Sequence, residues 1–140
     1  MKIICQYEGE NSALIYVEHN NGAFPSNDWD DFCIYIVADW LNTIFHNEKK
    51  NAASFQLAFM EGDCYLQCEK NGNNLYVQGF DDDQIVFTEY GSLQDLKEQL
   101  QQIAHIILQT PLKNPDWTVA ISELKRVLQQ SKPTFPDWHP

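Results

Sequence analysis

The spacing of apolar and polar positions changes several times along the chain, and each change marks an element. Lys2 to Tyr7 and Ala13 to Glu18 are short β-branched and aromatic runs on either side of the turn-forming cluster Gly9-Glu10-Asn11-Ser12, which predicts a hairpin. Residues 19–27, with Asn20-Asn21-Gly22 and Pro25-Ser26-Asn27, read as a loop. From Asp28 the period becomes helical. Phe32, Cys33, Ile36, Trp40 and Ile44 predict a helix over about residues 29–46, with Asp28, Asp30 and Asp31 in its first turn, where carboxylates complement the helix dipole. Ile34, Tyr35, Val37, Leu41 and Phe45 widen the apolar stripe so far that this helix must be covered on more than one side or present a binding face.

Four strand-like segments follow: Ser54 to Met60, Cys64 to Glu69, Leu75 to Phe80 and Ile85 to Tyr90. The first two joints, Glu61-Gly62-Asp63 and Lys70-Asn71-Gly72-Asn73-Asn74, carry residues that accept positive φ, so the segments read as a meander. Phe55, Leu57 and Phe59 share one face, which predicts an antiparallel sheet with one covered side. Ser92 opens a second helix with Asp95 as its capping partner and an apolar stripe of Leu93, Leu96, Leu100, Ile103 and Ile107. Asn114-Pro115-Asp116 starts a third, running to about Gln130 and burying Ala120, Ile121, Leu124, Val127 and Leu128. The expected architecture is a single α+β domain over residues 1–140: an antiparallel sheet, made of the N-terminal hairpin and the four-stranded meander, packed against about three α-helices. Residues 131–140, with three prolines around Phe135 and Trp138, form an irregular tail.

Charge alters this picture more than size does. Twenty acidic residues against nine Lys and Arg give −11. Eight of the acids (Glu8, Glu10, Glu18, Asp28, Asp30, Asp31, Asp39, Glu48) lie in the first 48 residues with only Lys2 opposing them, a local −7. A negative field repels phosphate backbones and anionic lipid, so no nucleic acid and no membrane is expected as partner; the charge suits a basic protein or a metal, or serves only helix-dipole compensation and solubility. The apolar stretch at the N-terminus is too short for a signal-peptide core, and no run approaches the ~20 apolar residues that span a bilayer. Cys5, Cys33, Cys64 and Cys68 therefore read as free, mostly buried thiols of a cytoplasmic protein.

No cofactor or nucleotide motif is present, and no catalytic residue stands out. Cys64 and Cys68 fall on one strand face, but a zinc site needs a second such pair or nearby histidines, so no metal is expected. Asp81-Asp82-Asp83 lacks the Gly and Glu of a calcium loop. It reads as a solvated turn or as a docking point for Lys or Arg. His19, His46, His105 and His139 are scattered. Trp29 and Trp138, beside turns and prolines, are the candidate exposed aromatics.

The segments DDFCIYIVADWLN (Asp30 to Asn42) and SFQLAFMEGDCYLQCEKNGNNLYVQGF (Ser54 to Phe80), closed by the capped helix from Ser92, resemble the small acidic immunity proteins that protect bacteria from their own polymorphic or contact-dependent toxins. The resemblance implies a non-enzymatic cytoplasmic protein that neutralises a cognate toxin by covering its active site or a nearby surface; a nuclease toxin would present a basic one. Asp28, Trp29, Asp30, Asp31, Asp81, Asp82 and Asp83 are the candidate partner-binding residues. Two other classes remain: an adaptor or homodimer using the apolar excess of the first helix or the tail, and a small enzyme with a pocket assembled from residues such as Cys33, His46, Asp63 and Tyr65.

Overall fold

In the computed structural model, which describes residues 1–130, β1 (Lys2–Gln6) and β2 (Ser12–His19) form the expected hairpin, with Lys2 opposite Glu18 and Gln6 opposite Leu14. Two short strands then return to the far edge of β2. β3 (Gly22–Phe24) pairs with its C-terminal half and β4 (Asp30–Phe32) with its N-terminal half, completing a four-stranded sheet. The segment expected to be loop thus contains a strand.

Helix α1 runs Cys33–Lys50, and the expected first-turn acids are not part of it. Asp30 and Asp31 are strand residues, because Asp30–Phe32 pairs with Ser12–Leu14, and Asp28 lies in the loop before them. The helix start is held by the backbone instead: the Cys33 N–H donates to the Asn11 carbonyl at 2.9 Å. At the other end Lys49 and Lys50 complement the C-terminal dipole, and Asn51 turns into the left-handed region at φ 51°. Ile34, Ile36, Val37, Trp40, Leu41 and Ile44 are completely buried, so nearly every side of α1 is covered. β2, β5 and both other helices pack on it, which accounts for the breadth of its apolar stripe.

β5 (Ser54–Ala58), β6 (Cys64–Asn71), β7 (Asn74–Asp81) and β8 (Gln84–Ser92) form the second sheet, paired in chain order as a meander. Its inner face buries Phe55, Leu57, Cys64, Leu66, Cys68, Leu75, Val77 and Phe87. A bulge opposite Gly79 and Phe80 leaves Val86 unpaired and exposed. α2 (Leu93–Gln109) is capped as expected, the Ser92 hydroxyl accepting from the Asp95 N–H at 3.1 Å. Asn73 in the β6–β7 turn supplies a second cap: its carbonyl accepts from the Leu93 N–H and its side chain from that of Gln94. A 3₁₀ turn at Pro115–Trp117 leads into α3 (Thr118–Gln130), which buries Ala120, Leu124 and Val127.

The two sheets and α1 meet at an aromatic junction around Phe59. Phe24 of β3 lies 5.9 Å from it edge to face, Trp29 6.2 Å and Trp40 of α1 5.2 Å. Phe87 of β8 joins through Phe24 and stacks flat on His19 at 4.1 Å. The fold is therefore α+β with antiparallel sheets packed on three helices, as the sequence predicts, except that hairpin and meander belong to separate sheets. Among the described residues no helix is long and apolar enough to cross a membrane. The expected tail, with Phe135 and Trp138, lies outside the described residues.

Candidate functional site: an acidic end built from three loops

Asp31 organises one end of the molecule. Its carboxylate is only 2% exposed, and Oδ2 accepts from the Trp29 indole N–H at 3.0 Å and from the backbone N–H groups of Met60 and Glu61 at 3.0 and 3.1 Å. Oδ1 accepts from the Phe32 N–H at 2.7 Å. These bonds tie the β4 entry loop to the β5–β6 turn, where Gly62 at φ +70° lets the chain pass beneath the Trp29 ring. A further bond, from the Asp82 N–H to the Asp63 carbonyl at 3.0 Å, joins the β7–β8 turn to the same end. Asp82 reaches it in the left-handed conformation at φ 58°, which Asp tolerates better than most residues.

Three loops distant in sequence thus present Asp28, Glu61, Asp63, Asp81, Asp82 and Asp83 together, all exposed. No Lys or Arg occurs between residues 3 and 48, 51 and 69, or 71 and 96. The ion pairs among the described residues lie elsewhere, at Glu48–Lys97, Glu123–Arg126 and the N-terminal amine with Glu89, so none of the six has a cation beside it. The field reaches inward as well. Burial, together with the neighbouring Asp81 carboxylate, pushes the Cys64 thiol up to about 11.

The predicted partner-binding residues separate into three groups. Asp28, Trp29, Asp81, Asp82 and Asp83 come to this end, with Trp29 half-buried against Phe59 rather than freely exposed. Asp30 points away, bonded to the Ser12 hydroxyl in a hollow shared with Glu8, Glu10 and Lys113. Asp31 faces inward, its acceptor capacity taken up by the loops it holds. Cys33, His46, Asp63 and Tyr65 are not gathered into one pocket: Cys33 and His46 lie on the same helix, about 20 Å apart along its axis.

A groove beside the acidic end went unmarked by the sequence. It has a volume of about 340 Å³ and runs between α1, the end of β5 and α3, with Tyr35, Asp39, Asn42, Phe59, Met60 and Glu123 among its walls. The Trp40 indole N–H donates to the Ala58 carbonyl at 2.8 Å and fixes the two main walls. Ala58 and Phe59 continue into a second hollow lined by Gly62, Asp63, Tyr65, Asp82 and Asp83, so groove and acidic end form one surface. The signal that could have marked it is the polar line Tyr35, Asp39, Asn42 at i, i+4, i+7 through the mainly apolar first half of α1. No protein-family model matches the chain, and neither a curated protein nor a solved structure does.

Proposed function

We propose that the chain is an immunity protein that binds a basic bacterial toxin and neutralises it by covering its working surface with the acidic end. One observation carries the reading: three loops far apart in sequence are cross-linked by Asp31 and by the Asp63–Asp82 backbone bond into a single end with six exposed carboxylates and, among the described residues, no cation paired to them. Like charges held together cost stability through mutual repulsion, so their rigid convergence is better explained by a cationic partner than by solubility, which scattered charge provides equally well. A cytoplasmic setting agrees with four free thiols. The test is to induce the polypeptide encoded by the reading frame immediately upstream in a bacterial host with and without this chain. The wild-type chain restores growth, and Asp63→Lys/Asp82→Lys/Asp83→Lys does not, although it folds. Growth arrest that the wild-type chain leaves unrelieved contradicts the proposal.

A second reading, an adaptor or homodimer, is favoured by the open face and edge of the second sheet. Its outer side carries the row Ala58, Tyr65, Phe80, Ile85, and Ile85, Val86 and Tyr90 of the edge strand are more than half exposed. Sedimentation equilibrium that shows a dimer abolished by Val86→Lys would favour it.

A further inference from the structure

The groove beside the acidic end combines two properties that a cationic side chain requires. Its walls are apolar where a methylene stem would lie, from Ala58 across Phe59 to Met60, which is 54% exposed. One carboxylate stands among them without a partner: Asp39 has no hydrogen bond and no ion pair among the described residues. Glu123, the other carboxylate of the groove, is held in a two-point bond by Arg126 one turn along α3.

We infer that this groove is the receptor for an arginine side chain of the basic partner, with Asp39 as the counter-charge, Tyr35 as the stacking face and Phe59 and Met60 as the bed for the stem. The inference rests on the proposed function, since it names the group through which that partner would be held. Tyr35, Asp39 and Asn42 lie on one face of α1. They offer a flat ring, a charged acceptor and an amide oxygen, which match the planar fork of a guanidinium better than the compact ammonium of lysine. Charge complementarity selects a cation over an anion or an apolar segment, because among the described residues no cation pairs with Asp39 and the adjoining end adds Asp63, Asp82 and Asp83.

The energetics agree. Partial burial raises the Asp39 carboxyl above the usual carboxylate range, so ionised Asp39 destabilises the free protein. A group that costs the free protein stability and makes no polar contact among the described residues is accounted for by a partner that neutralises it.

The full chain is titrated with N-acetyl-arginine-N-methylamide and followed by amide chemical shifts, with the neutral citrulline and the lysine analogues as controls. The arginine probe shifts Tyr35, Asp39, Asn42 and Met60 saturably, the lysine probe binds at least fivefold more weakly, and citrulline does not bind. Asp39→Asn weakens the arginine probe at least tenfold while unfolding at an equal or higher temperature at pH 7. Glu18→Gln, on β2 and outside both the groove and the acidic end, changes it less than twofold. Citrulline binding as well as arginine, or shifts that survive Asp39→Asn, overturns the inference. The two proposals separate: saturable arginine binding stands even if the upstream polypeptide proves not to be a partner, and a toxin complex insensitive to Asp39→Asn removes the groove and leaves the immunity reading intact.

Discussion

Removing the Asp31 carboxylate should loosen the acidic end before it loosens the core. In Asp31→Ala the Trp29 indole and the Met60 and Glu61 backbone N–H groups lose their acceptor together. A hydrogen bond to an ionised acceptor is worth about 1.5–3 kcal/mol net. Met60 and Glu61 are exposed residues whose N–H groups recover some water, so the lower end of that range applies. Relief from burying the carboxylate offsets part of the loss, leaving about 3 kcal/mol. That is a large share of the ~5–15 kcal/mol by which a domain is stable. With a urea slope of about 1–3 kcal/mol/M the unfolding midpoint falls by roughly 1.5 M. Asp31→Asn, which keeps the shape and one acceptor oxygen, should lose about half as much. Urea denaturation followed by tryptophan fluorescence measures both, and amide exchange should quicken at Met60 and Glu61 first. A midpoint shift in Asp31→Ala below roughly 0.3 M, with exchange at those two amides unchanged, would refute the assignment of Asp31 as the tie between the loops.

A Cβ on Gly79 would stand 2.2 Å from the Phe87 ring, so Gly79→Ala should lower stability by about 2 kcal/mol in urea unfolding, because the ring must leave its cross-strand seat. Asp39 has a raised pKa in the folded chain, so the folded state holds that proton more tightly than the unfolded one. Its favourable contribution, present below the unfolded pKa, is lost as pH rises through the folded value. Asp39→Asn should therefore match the wild type near pH 3 and exceed it at pH 7 in thermal unfolding. Cys5 is half-buried with its thiol lowered by a hydrogen bond from Cys33, whereas Cys64 and Cys68 are raised by burial to about 11 and about 12. Limited iodoacetamide treatment at pH 8, mapped by mass spectrometry, should modify Cys5 before either of the others.

Elements specified by local pattern were legible in the sequence; those that depend on distant partners were not. α2 could be read from its Leu stripe and Ser92 because cap and period both lie within the helix itself. The meander followed from alternation and from Gly62 and Gly72, which take positive φ at its first two turns. The start of α1 was misplaced because Asp28, Asp30 and Asp31 before an apolar run look like first-turn acids. Their true setting depends on β2, whose Ser12–Leu14 pairs with Asp30–Phe32. Burial of Asp31 could not be read locally, since two of the donors that make it tolerable come from Met60 and Glu61, some thirty residues away. Asp39 is not distinguished locally because an acid beside Asn42, His46 and Glu48 reads as the solvated side of α1, and only β5 and α3 turn part of that side into a groove.

If the acidic end meets a basic toxin, as proposed, the association rate of the purified chain with the polypeptide encoded immediately upstream depends on ionic strength. The wild-type rate should fall steeply as salt rises. Asp63→Lys/Asp82→Lys/Asp83→Lys should associate at least tenfold more slowly at low salt and show a nearly flat dependence. Rates that coincide for the two proteins at every salt concentration would contradict the account.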